Sequence, residues 1–415
     1  MKLITFLLLC LVVLPQFATA MELPSLQFTH RLRIETWDNT GNMDDETGNP
    51  TTYTRQRSSL GLKWAALPAT EFGMKLTHEF RYYISPKSTP FSRHEVVFDN
   101  LYLKWTVPTA MPVSLTAGRF NIWYGDGFIV ADQSPLDGSR TGYFNAIKAD
   151  VALDPTSELS AFYCQMDPQD LMLPVFNNQH QAMAVQPEMG GGLYWQKKFG
   201  TDVLHLYYLN LNQEAYKLLI ERTINAFGFR YDWKHSSGLY VTTENAAQWS
   251  SDDVKDRNDF AGFTKIGKDY STPVWTLGRS EVGFIYYTKD WDPIWGRFPR
   301  WSESYIYTLV SEHGVAYWSN FSSLYAQATL IPSPGSKIAL SYHHLGAFEK
   351  NTLPAWGDGE TRGDLFICRY DYKITSRLNG CFIAERFLPG DFYVDGSNSF
   401  LWLRSELFYT FDLKL

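Results

Sequence analysis

The chain has 415 residues, with 44 acidic against 37 basic side chains and a formal charge of −7, a balance that argues against a nucleic-acid partner on bulk electrostatics. Aromatic residues make up 16% and hydrophobic residues only 45%, and beyond residue 20 no run approaches the roughly 18 apolar residues that mark a spanning helix. A membrane helix is thereby excluded, while abundant aromatics without continuous apolar runs suit strands that alternate lipid-facing and water-facing side chains. The same composition also fits a secreted carbohydrate-binding β protein.

The chain opens with Met1-Lys2, an apolar core over 3–14 and the small-residue site Ala18-Thr19-Ala20, which reads as a signal peptide over 1–20 that takes Cys10 with it. What remains, 21–415, is long enough for two ordinary domains or for one large β-barrel. Its three cysteines, Cys164, Cys368 and Cys381, are too few for a disulfide framework. A bridge between Cys368 and Cys381 stays open, although a turn at Asn379-Gly380 would set them out of register.

Two-residue alternation begins with Phe28, His30, Leu32 and Ile34 against Thr29, Arg31, Arg33 and Glu35. It repeats with Leu60, Leu62 and Trp64 against Arg55, Arg57, Ser59 and Lys63. A third stretch sets Phe72, Met74, Leu76, Phe80 and Tyr82 against Lys75, Thr77, Glu79 and Arg81, and a fourth sets Val97, Leu101, Leu103 and Trp105 against Asn100, Tyr102, Lys104 and Thr106. Further strands are expected over 147–153, 159–166, 193–199, 203–210, 227–233, 239–249, 277–288, 304–310, 321–330, 338–345, 365–373, 378–387 and 400–415. Short links (66–71, 108–112, 154–157, 200–202, 235–238, 332–336) alternate with long polar ones (38–52, 124–143, 167–190, 250–273, 346–363). Membrane barrels use short periplasmic turns and long external loops, so the alternation predicts an all-β, antiparallel up-and-down transmembrane barrel of 16 to 18 strands, with 18 favoured and both termini periplasmic. The last segment supports closure, because Leu407, Tyr409, Phe411, Leu413 and Leu415 share one face to the final residue.

Catalytic signatures are missing: there is no G-x-S-x-G, H-E-x-x-H, P-loop or C-x-x-C, and Gly190-Gly191-Gly192 precedes a strand, not a helix. No enzyme and no cofactor are expected. Calcium could be held by Asp44-Asp45-Glu46 or by Asp252, Asp253, Asp256 and Asp259, but neither has an ordered ligand spacing and a solvated loop is the better reading.

From residue 96 to 151 the chain resembles the alginate-export family of outer-membrane porins. Asp99-Asn100-Leu101-Tyr102-Leu103 is similar to that family's strand, Gly118-Arg119-Phe120 to its G-R-Q, and Tyr124-Gly125-Asp126-Gly127 to its loop opening. Arg140-Thr141 and Phe144-Asn145-Ala146-Ile147 resemble its R-T-F-D segment, with Asn145 in place of the usual Asp. Asn320-Phe321 through Pro332, and Phe387-Leu388-Pro389-Gly390-Asp391, extend the likeness into the last third. The resemblance implies a monomeric barrel of about 18 strands in the outer membrane, with an arginine-rich constriction that passes a uronic-acid polymer outward.

The inward faces agree. Arg31, Arg33, Arg55, Arg57, Lys75, Arg81 and Lys104 outnumber Glu35 and Glu79 in the first four strands, and a lipid-facing Arg or Lys near the midplane costs about 2–4 kcal/mol, so inward is their default direction. Arg230 and Arg404 alternate with apolar sets and point inward by the same rule. Arg119 shares parity with Leu115 and Ala117 and reaches the lumen only if the strand resets, as by a bulge at Gly118. Arg119 and Asn145 therefore join the candidate pore residues on the resemblance. Guanidinium forks bind carboxylates, so the expected function is a channel for an anionic solute such as an acidic oligosaccharide or polysaccharide. The alternative for these arginines is an ion-pair ladder that merely fills the lumen. Expected partners are lipid and lipopolysaccharide outside, an anionic saccharide within and the barrel-assembly machinery on insertion. Two other readings stay open: a barrel-embedded hydrolase or secreted sugar-binding protein, and an adhesion barrel plugged by an inward fold of 250–273.

Overall fold

The computed structural model describes residues 23–39, 43, 50–65, 67–87, 95–107, 109, 111–131, 144–180, 183–252, 255–274, 276–299, 319–350 and 357–414. The proposed signal peptide, Asp44-Asp45-Glu46, Arg140-Thr141, Asp253 and the expected strand over 304–310 lie outside the described residues. The strands are β1 (Ser25–Asp38), β2 (Thr51–Trp64), β3 (Thr70–Ser85), β4 (Val96–Val107), β5 (Val113–Phe120), β6 (Phe144–Asp154), β7 (Ser157–Met166), β8 (Glu188–Phe199) and β9 (Asp202–Gln213). They continue as β10 (Arg222–Lys234), β11 (Leu239–Asp252), β12 (Asp256–Val274), β13 (Leu277–Tyr287), β14 (Phe321–Ser333), β15 (Ser336–Gly346), β16 (Thr361–Lys373), β17 (Leu378–Pro389) and β18 (Phe400–Lys414). Among the described residues no helix is present.

Each strand pairs antiparallel with its neighbours in sequence, and β1 pairs with both β2 and β18, closing an 18-stranded barrel. The closing ladder runs from Ser25 opposite Lys414 to Asp38 opposite Leu401. Closure answers the demand of the bilayer interior, where an unpaired backbone N–H or C=O has no water to bond. The outward positions carry exposed apolar side chains, among them Phe28, Leu60, Leu115, Ile147, Phe227 and Leu324, while Arg33, Glu35, Arg55 and Glu79 on the alternate positions are buried. This is the architecture of a bacterial outer-membrane barrel.

Eight short connections share an end with the two chain termini: 65–69, 108–112, 155–156, 200–201, 235–238, 275–276, 334–335 and 374–377. The long ones, among them 121–143, 167–187 and 288–320, lie at the other end, joined there by one short link at 253–255. Residues 250–273 are thus not a long loop. They finish β11 and form most of β12, whose inward Lys265 and Asp269 and whose glycines Gly262 and Gly267 leave neither face apolar enough to show alternation. A plug made by this segment is ruled out with it.

Gly190, Gly191 and Gly192 lie within β8. The last short turn is at 374–377, so Asn379 and Gly380 belong to β17; Cys368 stands opposite Ala384, Cys381 opposite Asp371, and both thiols are free. At Gly118 the chain adopts φ +126°, and a Cβ there would lie 2.3 Å from the Leu101 carbonyl oxygen. Gly118→Val should therefore block assembly of the β4–β5 wall, seen as loss of the fast-migrating unheated band on a heat-modifiability gel.

Candidate functional site

The lumen has two unlike walls. On β18, β1, β2 and β3 the inward positions stack arginines: Arg33 stands opposite Arg55, which stands opposite Arg81, and Arg31 stands opposite Arg57. Like charges in register repel, and carboxylates placed between them relieve this. Glu79 accepts from Arg55 Nε at 2.6 Å, from Arg31 Nη2 at 3.3 Å and from Arg57. Glu406 holds Arg33, and Glu35 lies 3.7 Å from Arg33 Nη1 and 3.8 Å from Arg404 Nε while accepting a 2.9 Å bond from the Tyr53 hydroxyl. Arg404 also lies 4.8 Å over the ring of Trp402, and Arg81 5.1 Å over Tyr53. Arginines outnumber carboxylates here, so the wall keeps a positive excess even though its members are paired. Arg31 and Arg57, at 12% and 13% side-chain exposure against 1% for Arg55, are the less buried arginines of the Glu79 cluster.

Next to this ladder, Lys75 pairs with Asp99 at 2.5 Å, where an extra residue in β4 turns the Asp99 carboxylate inward beside Thr77. Lys104 faces the lumen nearer the periplasmic end, opposite Glu71 and Thr116.

The opposite wall is filled by chain. Residues 121–131 and 288–299, each leaving the end that carries the long loops, fold back against inward side chains of β6–β14. Tyr124 stacks on Tyr194 at 4.0 Å, and Tyr194 on Tyr207 at 5.7 Å. Phe128 packs on Phe263, Tyr287 and Trp291, and Trp295 on Phe144 and Phe162. Val130 and Trp295 form a parallel bridge, with Ala131 N donating to Trp295 O at 2.9 Å and Arg297 N to Gly127 O at 2.8 Å, so the two segments make one body. Arg230 belongs here and not to the ladder: it bonds Asp232 on its own strand and Glu244 on β11, and reaches Asp126 of the inward segment at 3.2 Å. Lys265 meets the same Asp126 carboxylate at 2.7 Å. Burial alone would raise the Asp126 carboxyl, but Lys265 and Arg230 hold it below the usual carboxylate range.

Arg119 does not turn into the lumen. The register runs unbroken through Leu101 opposite Arg119 and Arg119 opposite Asn145, so both residues keep the parity of the lipid-facing Leu115 and Ile147. Arg119 donates to Asn145 Oδ1 at 2.8 Å, to the Phe98 carbonyl at 3.1 Å and through two nitrogens to Asp170 at 2.8 and 2.7 Å; both charged side chains are 1% exposed. The group clasps the 167–187 connection over the end of β5. There Val96 and Phe176 exchange backbone bonds, and the segment fills the place a longer β5 would take beside β4.

Of the sequence-derived candidates, the structure therefore brings Arg31, Arg33, Arg55, Arg57, Arg81 and Arg404 together, sets Lys75 and Lys104 beside them, puts Arg230 across the lumen, and sets Arg119 and Asn145 in the wall. Asp252 and Asp259, read as calcium candidates, are engaged by Arg257 and by the Thr288 hydroxyl. Glu79, expected on the inward face, is the hub of the ladder, whereas Glu406, Asp126 and Lys265 are the partners that sequence reasoning missed. Asp126 lay in the quoted Tyr-Gly-Asp-Gly motif, and Lys265 was hidden by the misread β12.

No family model and no curated protein matches the chain, so the alginate-export likeness rests on its motifs. Solved structures do match over nearly the whole length. The outer membrane protein OprD from Pseudomonas aeruginosa aligns with TM-score 0.61 at 10% identity, covering 95% of each chain. OccK2 (OpdF) of the same organism, solved in complex with glucuronate, gives 0.60 at 11%, covering 94% of this chain and 98% of the other. Acinetobacter baumannii OccAB1 gives 0.62 at 12%, covering 94% and 97%. The chain has the fold of these outer-membrane porins.

The geometry sets three expected outcomes. Glu79→Gln leaves buried arginines facing one another and should lower barrel stability by about 3–5 kcal/mol, read as a shift in the urea midpoint of the heat-modifiable band. Asp126→Asn should loosen the inward segment by about 1 kcal/mol, a roughly five-fold shift toward a wider state, seen as larger single-channel conductance. Because the Asp126 carboxyl is depressed, its latch is intact above about pH 4 and is lost only as pH falls through the lowered value, so the wild type should widen in acid and Asp126→Asn should not respond.

Proposed function

We propose that the chain is an outer-membrane channel, working without covalent chemistry, that conducts anionic solutes of the uronate class past the arginine ladder. The observation that carries this reading is the excess of guanidinium groups over carboxylates on one inward wall, with Arg31 and Arg57 its less buried members around Glu79. A carboxylated solute can compete with Glu79, which is divided among three arginines, for their guanidinium donors. The neighbour solved with glucuronate supports the choice of solute class. An acidic oligosaccharide or polysaccharide repeats the same carboxylate along a chain, and the motif likeness over 99–127 supports export of such a polymer. The body formed by 121–131 and 288–299 favours a single narrow chain or a small sugar acid over a bulky one.

The test is a planar-bilayer recording on the refolded mature chain. Reversal potentials should show anion preference, glucuronate should interrupt the current, and Arg31→Gln with Arg57→Gln should weaken that block about ten-fold. Cation preference, or a block unchanged in the variant, would overturn the reading.

A further inference from the structure

A lumenal recess at the periplasmic end of β15–β18 adjoins the arginine ladder and is held together differently. Lys337 is the second residue of β15, just after the 334–335 turn, and Lys373 ends β16, just before the 374–377 turn. Both have the inward parity of the buried His343 and Leu365, and with Arg369 and Asp371 they line a space of about 350 Å³, within the roughly 300–1,000 Å³ of small-ligand sites. Two rows of the sheet lead from this recess to the ladder. In one, Lys337 stands opposite Asp371, Asp371 opposite Cys381, Cys381 opposite Glu406 and Glu406 opposite Arg33. In the row one step nearer the periplasm, Lys373 stands opposite Asn379, Asn379 opposite Phe408 and Phe408 opposite Arg31.

The carboxylates of the recess are already committed. Arg369 grips Asp371 through Nε at 2.9 and 3.0 Å and through Nη2 at 2.8 Å, and Glu406 holds Arg33. The Lys337 and Lys373 ammonium groups and the Asn379 amide, by contrast, make no hydrogen bond or ion pair among the described residues, and all three residues are exposed. Lysines that only ended their strands could splay into the periplasm, whereas these two converge on one recess with an aromatic ring, Phe408, in its lining.

We propose that this recess is the periplasmic loading site for a sugar acid, with Lys337 and Lys373 on the carboxylate, Asn379 on ring hydroxyls and Phe408 against the C–H face of the pyranose. The inference rests on the anionic-solute reading given above and adds to it the place of first contact. A lysine ammonium is a compact, rotatable point charge, where an arginine fork fixes a carboxylate in one geometry. The recess therefore gathers the solute loosely, and the row through Phe408 passes it to Arg31 and Arg57. A positive mouth raises the rate of anion capture from its own side, so the site gives the channel a sidedness that the ladder alone does not supply.

The experiment is single-channel recording on the refolded mature chain in about 0.1 M salt, with glucuronate added to one chamber and then to the other. The on-rate of block should be about ten-fold higher from one side, and Lys337→Gln with Lys373→Gln, in barrels shown to be folded by heat-modifiability, should bring the two sides level. A wild type that prefers anions and is blocked equally from both chambers overturns the recess while leaving the channel reading in place, as does a side difference that survives in the double variant. A wild type without anion preference overturns both. Inorganic phosphate probes charge alone: Phe408→Ala should shorten glucuronate block about three-fold and leave phosphate block unchanged. No shortening for glucuronate, or equal shortening for the two anions, would overturn the assignment to a sugar acid.

Discussion

Backbone hydrogen bonding in a medium without water is the constraint on which everything else here rests. An open sheet edge inside hydrocarbon would leave a row of unsatisfied donors and acceptors, so the first and last strands must find each other. They do so along the full length of β1, from Ser25 to Asp38. Once the ring is shut, the wall is fixed, and variation is confined to the inward positions and to the connections at one end. Both halves of the lumen are built from these two sources: the ladder from strand positions, the packed body from connections.

The ladder is held under internal repulsion. Arg33, Arg55 and Arg81 lie in one row of the sheet, an arrangement that no stability argument would choose. Glu79, Glu35 and Glu406 keep it folded without cancelling it. A buried ion pair is weak support for stability on its own, and here the pairs hold the guanidinium groups in place while arginines still outnumber carboxylates. The sequence alternatives of a solute path and an ion-pair ladder therefore do not exclude each other: the same carboxylates that tie the arginines also aim them.

Strand content was legible in the sequence because one face of most strands is greasy and the other is not. The two faces of β3 differ at most steps, Phe72, Met74, Leu76 and Phe80 against Lys75, Thr77, Glu79 and Arg81. β12 was illegible for the opposite reason: its outward Asn258, Gly262, Thr264 and Lys268 resemble its inward Lys265 and Asp269 too closely for a period of two to show. The basic ladder could be read from parity and the lipid cost of charge, whereas its pairing could not, because strand register decides which carboxylate meets which arginine. Parity likewise gave Arg119 its direction, but Asp170 arrives from a connection whose path no periodicity describes. The inward fold of 121–131 left only a faint trace, the apolar run Phe128-Ile129-Val130 inside a Gly- and Asp-rich stretch, and 288–299 a similar one in Trp291 and Trp295.

The bridge between Val130 and Trp295 is made by main chain, not by side chains. Those main-chain bonds make no demand on which residues occupy the two positions, whereas the packing of Phe128 and Trp295 and the contacts of Asp126 with Arg230 and Lys265 seat the same body through side chains. The two segments thus stay joined through a change of side chain at either position, and only their seating against the strands would shift.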